Sequence, residues 1–140
     1  MEAVEIATSI GYALKRVTWA LRAAMEAELR ALDVGVSQYA TLELLHQRPG
    51  ISNAELARGV FTSRQATHQL LVGLRTAGLV ETRGEGREQR LALTQQGTRL
   101  LATASHAVAV VEQQMIAGLS PAEREQLRGA LASCADALVG

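Results

Sequence analysis

The sequence predicts a mainly α-helical fold with one small β-hairpin. Hydrophobic residues make up 48% of the 140 residues and aromatic residues only 3%, so alanine and aliphatic side chains must form the core. Long segments place apolar residues three and four positions apart, which is the spacing of an amphipathic helix. Only residues 79–93 contain the alternation that is typical of paired strands. We therefore expect helices throughout, apart from a single hairpin.

The first predicted element is a long amphipathic helix over residues 2–32. It contains no proline. Its apolar stripe consists of Ile6, Ile10, Leu14, Val17, Leu21, Met25 and Leu29. A single domain of this size is too small to bury such a stripe along its whole length, so we expect part of the stripe to contact a partner chain.

A second helix is predicted over Gln38–Gln47, with Ser37 as its N-cap. The side chains expected to point inward are Tyr39, Leu42 and either Leu45 or His46. The Pro49–Gly50 pair then ends the helix, since both residues are typical of turns.

Two capping boxes follow, each with a serine or threonine and then a glutamate or glutamine three residues later. Ser52 and Glu55 begin a short helix that ends near Gly59, and Thr62 and Gln65 begin the next one. The inward residues predicted for this next helix are Ala66, Leu70, Gly73, Leu74 and Ala77. Those predicted for its opposite, exposed face are Arg64, His68 and Arg75, and Gly78 is the predicted C-cap.

The hairpin is predicted to pair residues 79–83 with residues 89–93 through a charged, glycine-containing tip at residues 84–88. Thr94 then caps a long helix that reaches about residue 117, and a third capping box, Ser120 to Glu123, begins the last helix. The predicted apolar stripes of these two helices are Leu101, Ala104, Val108, Val111 and Met115, and then Leu127, Leu131, Cys134 and Leu138.

Charge and composition restrict the function. Formal net charge is zero, but residues 52–94 contain six arginines against four glutamates, a small basic bias in the region where DNA binding would need it. The single cysteine, Cys134, excludes an internal disulfide, and we expect it to be buried and inert rather than redox-active. We find no signal peptide, membrane span, metal-ligand spacing, cofactor motif or catalytic motif, which predicts a soluble cytoplasmic protein that is not an enzyme.

The order of elements between residues 52 and 94 is that of a winged helix-turn-helix. A short capped helix, a three-residue turn and a second capped helix are followed directly by a basic hairpin. In a helix-turn-helix, the second helix enters the DNA major groove. The alternative is that Arg64, His68 and Arg75 form an ordinary solvated helix face. The combination of all these elements favours DNA binding.

Specific residues within this segment also match a known pattern. The run Leu74 to Val80 has the form L-x-x-x-G-L-V, and Glu85, Gly86 and Arg87 precede a strand that ends in Leu-Thr-Gln-Gln-Gly at residues 93–97. In these features residues 51–97 resemble the winged helix-turn-helix of the MarR family of bacterial transcriptional regulators, with Glu85 where aspartate is common. The flanking long helices are similar to the dimerisation region of that family.

The resemblance implies a homodimeric repressor that binds a pseudo-palindromic operator in double-stranded DNA. Residues 1–35 and 95–140 would form the dimerisation helices, and residues 36–94 the DNA-binding domain. The residues implied in DNA contact are Ser63 at a phosphate, Arg64, Gln65, Thr67 and His68 at bases or nearby phosphates, and Arg87 in the minor groove. Arg83 and Arg90 are either phosphate contacts or plain strand-surface charges.

Members of this family commonly bind small aromatic acids between the dimerisation helices and the winged domain. The residues that could form such a pocket are Tyr12, Arg16 and Trp19 on the first helix and Tyr39 and His46 on the second. Trp19 and Tyr39 could equally be core residues.

Two other functions stay open at this point. A winged-helix module can serve as a protein-interaction scaffold without DNA binding, which is compatible with zero net charge. A small-molecule-binding or enzymatic helical dimer is the remaining possibility. A steep salt dependence of binding to DNA would favour the regulator over both.

Overall fold

The computed structural model describes residues 3–60, 62–84 and 90–139. Their elements are α1 (Ile10–Leu29), a 3₁₀ turn (Arg30–Leu32), α2 (Val36–Gln47), α3 (Asn53–Gly59), α4 (Arg64–Thr76), β1 (Val80–Arg83), β2 (Arg90–Leu93), α5 (Gln95–Ile116) and α6 (Pro121–Val139). The strands pair antiparallel with Val80 opposite Leu93 and Arg83 opposite Arg90. The predicted fold class, mainly α with a β-hairpin, is confirmed. None of the described helices is long and apolar enough to cross a membrane.

The first helix begins later than predicted. Ser9 is its N-cap, because the Ser9 hydroxyl accepts a hydrogen bond from the Tyr12 amide at 3.0 Å. Residue Ile6 therefore lies outside the helix, and it is exposed, as are Ile10 and Val17. Only Leu29 of the predicted apolar stripe is buried within this chain. Most of the stripe is thus left without a full covering by the chain itself.

The second helix begins at Val36, so Ser37 is not its N-cap. Gly35 is extended, and its amide donates to the Gln38 side-chain oxygen at 2.8 Å, so the helix starts two residues earlier than expected. Leu45 is buried and His46 is exposed, so Leu45 is the inward residue of the two alternatives.

The core lies beneath the helix-turn-helix and the hairpin. Its buried members are Leu42, Leu45, Ile51, Leu56, Leu71, Leu74, Leu79, Val80, Leu91 and Leu101. Helices α2, α3, α4 and α5 and both strands each contribute side chains to this cluster. One hydrophobic core therefore holds α4, the hairpin and the first part of α5 together.

The last helix has the predicted cap but not the predicted burial. The Ser120 amide donates to the Glu123 carboxylate at 2.9 Å, and the Glu123 amide donates to the Ser120 hydroxyl at 3.1 Å. No described residue of α6 is buried, and Leu127 and Leu131 are 43% and 40% exposed. The prediction that Cys134 is buried is wrong, because Cys134 is exposed, as is every other described residue of α6 except the half-buried Arg124.

Candidate nucleic-acid interface

Helix α3, the turn and helix α4 form a compact pair with a capped start on each helix. The Ser52 hydroxyl accepts from the Glu55 amide at 3.1 Å, and the Ser63 hydroxyl accepts from the Ala66 amide at 3.1 Å. The N-cap is Ser63 and not the predicted Thr62, whose amide donates to the Ala57 carbonyl at 3.0 Å. The turn between the helices therefore includes Thr62, and α4 starts at Arg64.

The start of α3 carries a small ionic cluster. Arg48 pairs with Glu55 at 3.2 Å, and the Ser52 hydroxyl also donates to the Glu55 carboxylate at 2.9 Å. These donors lower the pKa of Glu55, the Ser52 hydroxyl being the largest cause. The carboxylate of Glu55, one of the four glutamates in the basic region, is therefore already paired with an arginine that lies just before that region.

The buried face of α4 differs from the predicted one. Its core residues are Thr67, Leu71 and Leu74. Of the predicted inward residues, Gly73 and Ala77 are exposed and Ala66 and Leu70 are only half-buried. The helix is therefore rotated about its axis, by most of one residue step, from the orientation predicted by the sequence.

Thr67 is the clearest correction among the predicted DNA contacts. Its side chain is fully buried, and its hydroxyl donates to the Ser63 carbonyl at 2.8 Å. A threonine whose hydroxyl is satisfied within the helix presents only its methyl group to its neighbours, so it can occupy a core position. Thr67 packs the helix against the core and does not lie on its outer surface.

Other predicted contacts of α4 are at the surface. Ser63, Arg64, Gln65 and His68 are all exposed. The exposed face also includes two residues that the sequence argument did not single out, Gln69 and Val72, the latter 47% exposed. Gln69 and Val72 could have been predicted if Thr67 had been recognised as buried, since both lie on the side of the helix opposite Thr67 and its buried neighbours.

The end of α4 connects it rigidly to the hairpin. Gly78 has a φ of +77°, a left-handed conformation that glycine adopts without strain. Its amide donates to the Arg75 carbonyl at 3.0 Å, and the Leu79 amide donates to the Leu74 carbonyl at 2.9 Å. This pair of bonds is a Schellman motif, and it directs the chain straight into β1.

The hairpin carries the remaining predicted contacts. Arg83 is exposed and pairs with Glu81 on the same strand, with Nη2 to Oε1 at 2.8 Å. Arg90 is exposed and lies beside the turn after α2, where the Gly50 amide donates to the Leu91 carbonyl at 3.3 Å. Arg87 and the predicted wing tip lie outside the described residues.

The predicted ligand residues separate into two groups. Tyr12, Arg16 and Trp19 line one concavity of about 630 Å³ whose walls come from α1 alone. The Tyr39 hydroxyl instead lies between Glu43 and Ser105, at 3.4 and 3.3 Å, and links α2 to α5. Burial is the main cause that raises the pKa of Tyr39.

His46 is exposed and lines neither place. A polar cleft of about 660 Å³, which was not predicted from the sequence, lies where the end of α1 meets the start of α2 and Leu70 of α4. Arg22, Glu26 and Arg30 lie on its α1 side.

Helix α4 is capped at its start and has an exposed polar face, and a Schellman motif joins it to the hairpin that follows. These features define a winged helix-turn-helix protein. Residues 32–91 match the model of the MarR family. The HTH-type transcriptional repressors Rv2887 of Mycobacterium tuberculosis and Mb2911 of Mycobacterium bovis are each 34% identical to this chain over 120 residues, which cover 83% of this chain and 86% of theirs. The chain belongs to the MarR family, which confirms the family resemblance.

Solved structures agree with this assignment. A crystal structure of Mycobacterium tuberculosis Rv2887 in complex with DNA has a TM-score of 0.76 at 30% identity, with 91% of this chain and 98% of that chain covered. The complex of Rv2887 with salicylic acid has the same score and identity, with coverage of 91% and 96%. The repressor CouR bound to a 23-mer DNA duplex has a TM-score of 0.84 at 26% identity, covering 96% and 99%.

Proposed function

We propose that this protein is a transcriptional repressor that binds a two-fold symmetric DNA operator as a homodimer and leaves it when a small aromatic acid binds. The observation that carries the proposal is α4, a capped helix with an exposed polar face, fixed to the core by three buried side chains. Relatives that are named repressors, and a relative solved with DNA, support it. The protein would act in the cytoplasm and without catalysis.

Homodimerisation is supported by the uncovered apolar surface of the terminal helices. The large exposed hydrophobic residues of α1, α5 and α6 are Ile10, Tyr12, Val17, Trp19, Val110, Met115, Leu127, Leu131, Leu138 and Val139. Residues 1–35 and 95–140 would pair between two copies, and residues 36–94 would bind DNA. Two α4 helices would then enter successive major grooves about one helical turn of DNA apart.

The charge distribution predicts that binding to DNA depends on a few specific side-chain contacts rather than on a general electrostatic attraction. Formal net charge is zero, and two arginines near α4, Arg48 and Arg83, are paired with glutamates. The exposed Arg64 and the hydroxyl of Ser63 at the helix start are suited to phosphate oxygens. Affinity would therefore depend on a few contacts, each doubled by the dimer.

The test is binding to the DNA upstream of the protein's own gene, measured by fluorescence anisotropy at two salt concentrations. We expect sequence-preferring binding that weakens as salt rises, since each phosphate contact releases counterions. Arg64→Ala should weaken binding to all duplexes alike and make the salt dependence shallower. Arg128→Ala is the matched control, because Arg128 lies on α6 and pairs with Glu125. Equal affinity for every duplex at both salt concentrations, or no binding even at the lower one, would overturn the proposal.

The aromatic-acid effector is supported by the α1 concavity, where Tyr12 and Trp19 offer aromatic faces and Arg16 offers a cation. Structures of Rv2887 with salicylic and p-aminosalicylic acid support the ligand class. Trp19 is the only tryptophan and is 77% exposed, so its fluorescence reports on this site. We expect salicylate to quench it in the wild type and less in Arg16→Gln. No response at millimolar salicylate would refute this site.

A further inference from the structure

The orientation of α4 decides which of its side chains can meet bases. Thr67, Leu71 and Leu74 point into the core and define one direction from the helix axis. At about 100° per residue, the opposite direction is occupied by residues 65, 69 and 76, each within about 30° of it. Val72 lies about 50° from it. All four side chains are exposed.

The basic side chains of α4 lie to one side of this outer face. Arg64, His68 and Arg75 are each about 90° or more from the outward direction. They are exposed, so they can contact the DNA backbone at the edge of the groove. Reading of guanine by this helix would need an arginine or lysine pointed at the base pairs. The outward residues include neither.

The outward residues instead carry the chemistry that recognises adenine and thymine. Gln65 and Gln69 are one helical turn apart, and each carboxamide offers one acceptor and a pair of donor hydrogens. That pattern is complementary to the N7 acceptor and N6 donor of adenine in the major groove.

The apolar part of this surface is Val72, the one large hydrophobic side chain that α4 leaves exposed. Gly73 beside it leaves open space, since a Cβ added there would meet no atom within 4 Å. The only apolar group that base pairs present in the major groove is the thymine methyl. An exposed valine with open space next to it can accept that methyl group.

We propose that Gln65, Gln69 and Val72 read A·T base pairs in the operator half-site, and that Arg64 and His68 bind its backbone. This inference rests on the proposed DNA-binding function and adds the bases that are read. It keeps the predicted contact Gln65, adds Gln69 and Val72, and moves Arg64 and His68 from the bases to the backbone.

The test begins with selection of duplexes from a random pool by the full-length wild-type protein. We expect each half-site to be rich in A·T pairs. Single bases of the selected duplex are then altered: thymine to uracil, which removes only the methyl group, and adenine to 7-deazaadenine, which removes only the N7 acceptor. At a position that is read, either change should weaken wild-type binding. Loss of a whole glutamine–adenine pair would cost roughly 5- to 150-fold, and 7-deazaadenine, which removes one of its two hydrogen bonds, should cost less than that.

The variants Gln69→Ala and Val72→Ala then assign each loss to a side chain. Gln69→Ala should bind weakly and become insensitive to 7-deazaadenine at one adenine only, while the adenine read by Gln65 stays sensitive; Val72→Ala should become insensitive to uracil. Both positions are exposed, so the fold should survive, which circular dichroism checks. Gln126→Ala on α6 is the matched control and should retain both sensitivities. The duplex preference of His68→Ala should be unchanged while its affinity falls.

Three results would overturn parts of this scheme separately. G·C-rich selected half-sites would refute A·T reading and leave the regulator intact. Base-analogue sensitivity that persists in Gln65→Ala, Gln69→Ala and Val72→Ala would show that other residues read the bases. Selection of no preferred duplex would refute the proposed DNA-binding function itself, and the base-reading scheme with it.

Discussion

Gly97 holds the closest approach between the hairpin and the fifth helix, and its replacement by alanine tests how this junction is built. Gly97 is buried in the first turn of α5. An added Cβ would lie 2.1 Å from the Leu79 carbonyl oxygen and 3.0 Å from its carbon. That oxygen also accepts the Thr94 amide at 3.1 Å, and the Thr94 hydroxyl donates to the Gly78 carbonyl at 2.6 Å.

The magnitude follows from these contacts. A normal contact needs about 3.5 Å, so helix and strand must separate by about 1 Å or more in Gly97→Ala. The carbonyl of Leu79 cannot swing away without losing its bond to Thr94. Overpacking costs about 1–3 kcal/mol and a disrupted hydrogen bond about 0.5–1.5 kcal/mol, against about 1 kcal/mol gained from the helix propensity of alanine. We expect a net loss of about 2 kcal/mol.

The assay is urea unfolding of wild type and variant at the same protein concentration, because unfolding of a dimer depends on concentration. Gly129→Ala is the matched control: Gly129 lies inside α6, and an added Cβ there would meet no atom within 4 Å. Helix propensity alone should make that variant about 0.5–1 kcal/mol more stable. If Gly97→Ala were as stable as Gly129→Ala, the close packing of α5 on the hairpin would be refuted.

Helices α4 and α6 offer three more tests. Thr67→Val keeps the shape of the buried side chain but removes its hydroxyl. Operator affinity should be unchanged, while the free energy of unfolding falls by about 0.5–1.5 kcal/mol. A large loss of operator affinity at unchanged stability would contradict the buried position of Thr67. Leu131→Asp should turn the dimer into a monomer in analytical ultracentrifugation, whereas Ala132→Glu, on the other side of α6, should not. The Ser120 amide lowers the pKa of Glu123. The ionised Glu123 carboxylate therefore stabilises the folded helix fully at neutral pH, and this stabilisation is lost as pH falls through the lowered pKa. In acid titrations of helicity, Glu123→Gln should lack that loss.

The positions of the helices could be predicted from the sequence because their signals are local. Caps at Ser52, Thr94 and Ser120 depend on a hydroxyl and an amide three residues apart, and all three are present in the structure. Gly78 could be predicted as a helix end for the same reason. The start of α2 was predicted two residues late because Gly35 has no side chain to signal a cap, and Gln38 supplies the contact instead.

The rotation of α4 could not be predicted, and the reason lies in its composition. Leu70, Leu71 and Val72 are consecutive, so their directions cover most of the circumference of the helix. The apolar period therefore does not select one face. The face was decided by Thr67, a polar residue that is buried because its hydroxyl bonds to Ser63. Sequence patterns treat such a threonine as a surface residue, which shifted the predicted outer face toward Arg64 and His68.

The apolar stripe of α6 illustrates a different limit. Its spacing was predicted correctly, since Leu127, Leu131 and Leu138 recur at helical intervals. Periodicity shows that a face needs covering, but it does not say whether the same chain or a second one covers it. The stripe of α6 is exposed, so this chain does not cover these residues itself. The proposed homodimer is tested at Leu131 for this reason.

The rotation of α4 also bears on how a ligand could release DNA. In the proposed homodimer, with no net charge to hold the protein on DNA, affinity would depend on both copies of Gln65, Gln69 and Val72 meeting their base pairs together. The segment proposed to bind DNA, residues 36–94, is held to α5 in two places. The Thr94 amide at the start of α5 donates to the Leu79 carbonyl, and the hydroxyls of Tyr39 and Ser105 are hydrogen-bonded to each other. A ligand that tilts α1 and α5 by a few degrees would therefore move both reading helices with them. Because carboxamide–base pairs are directional, such a tilt would cost sequence-specific affinity before it cost backbone contacts.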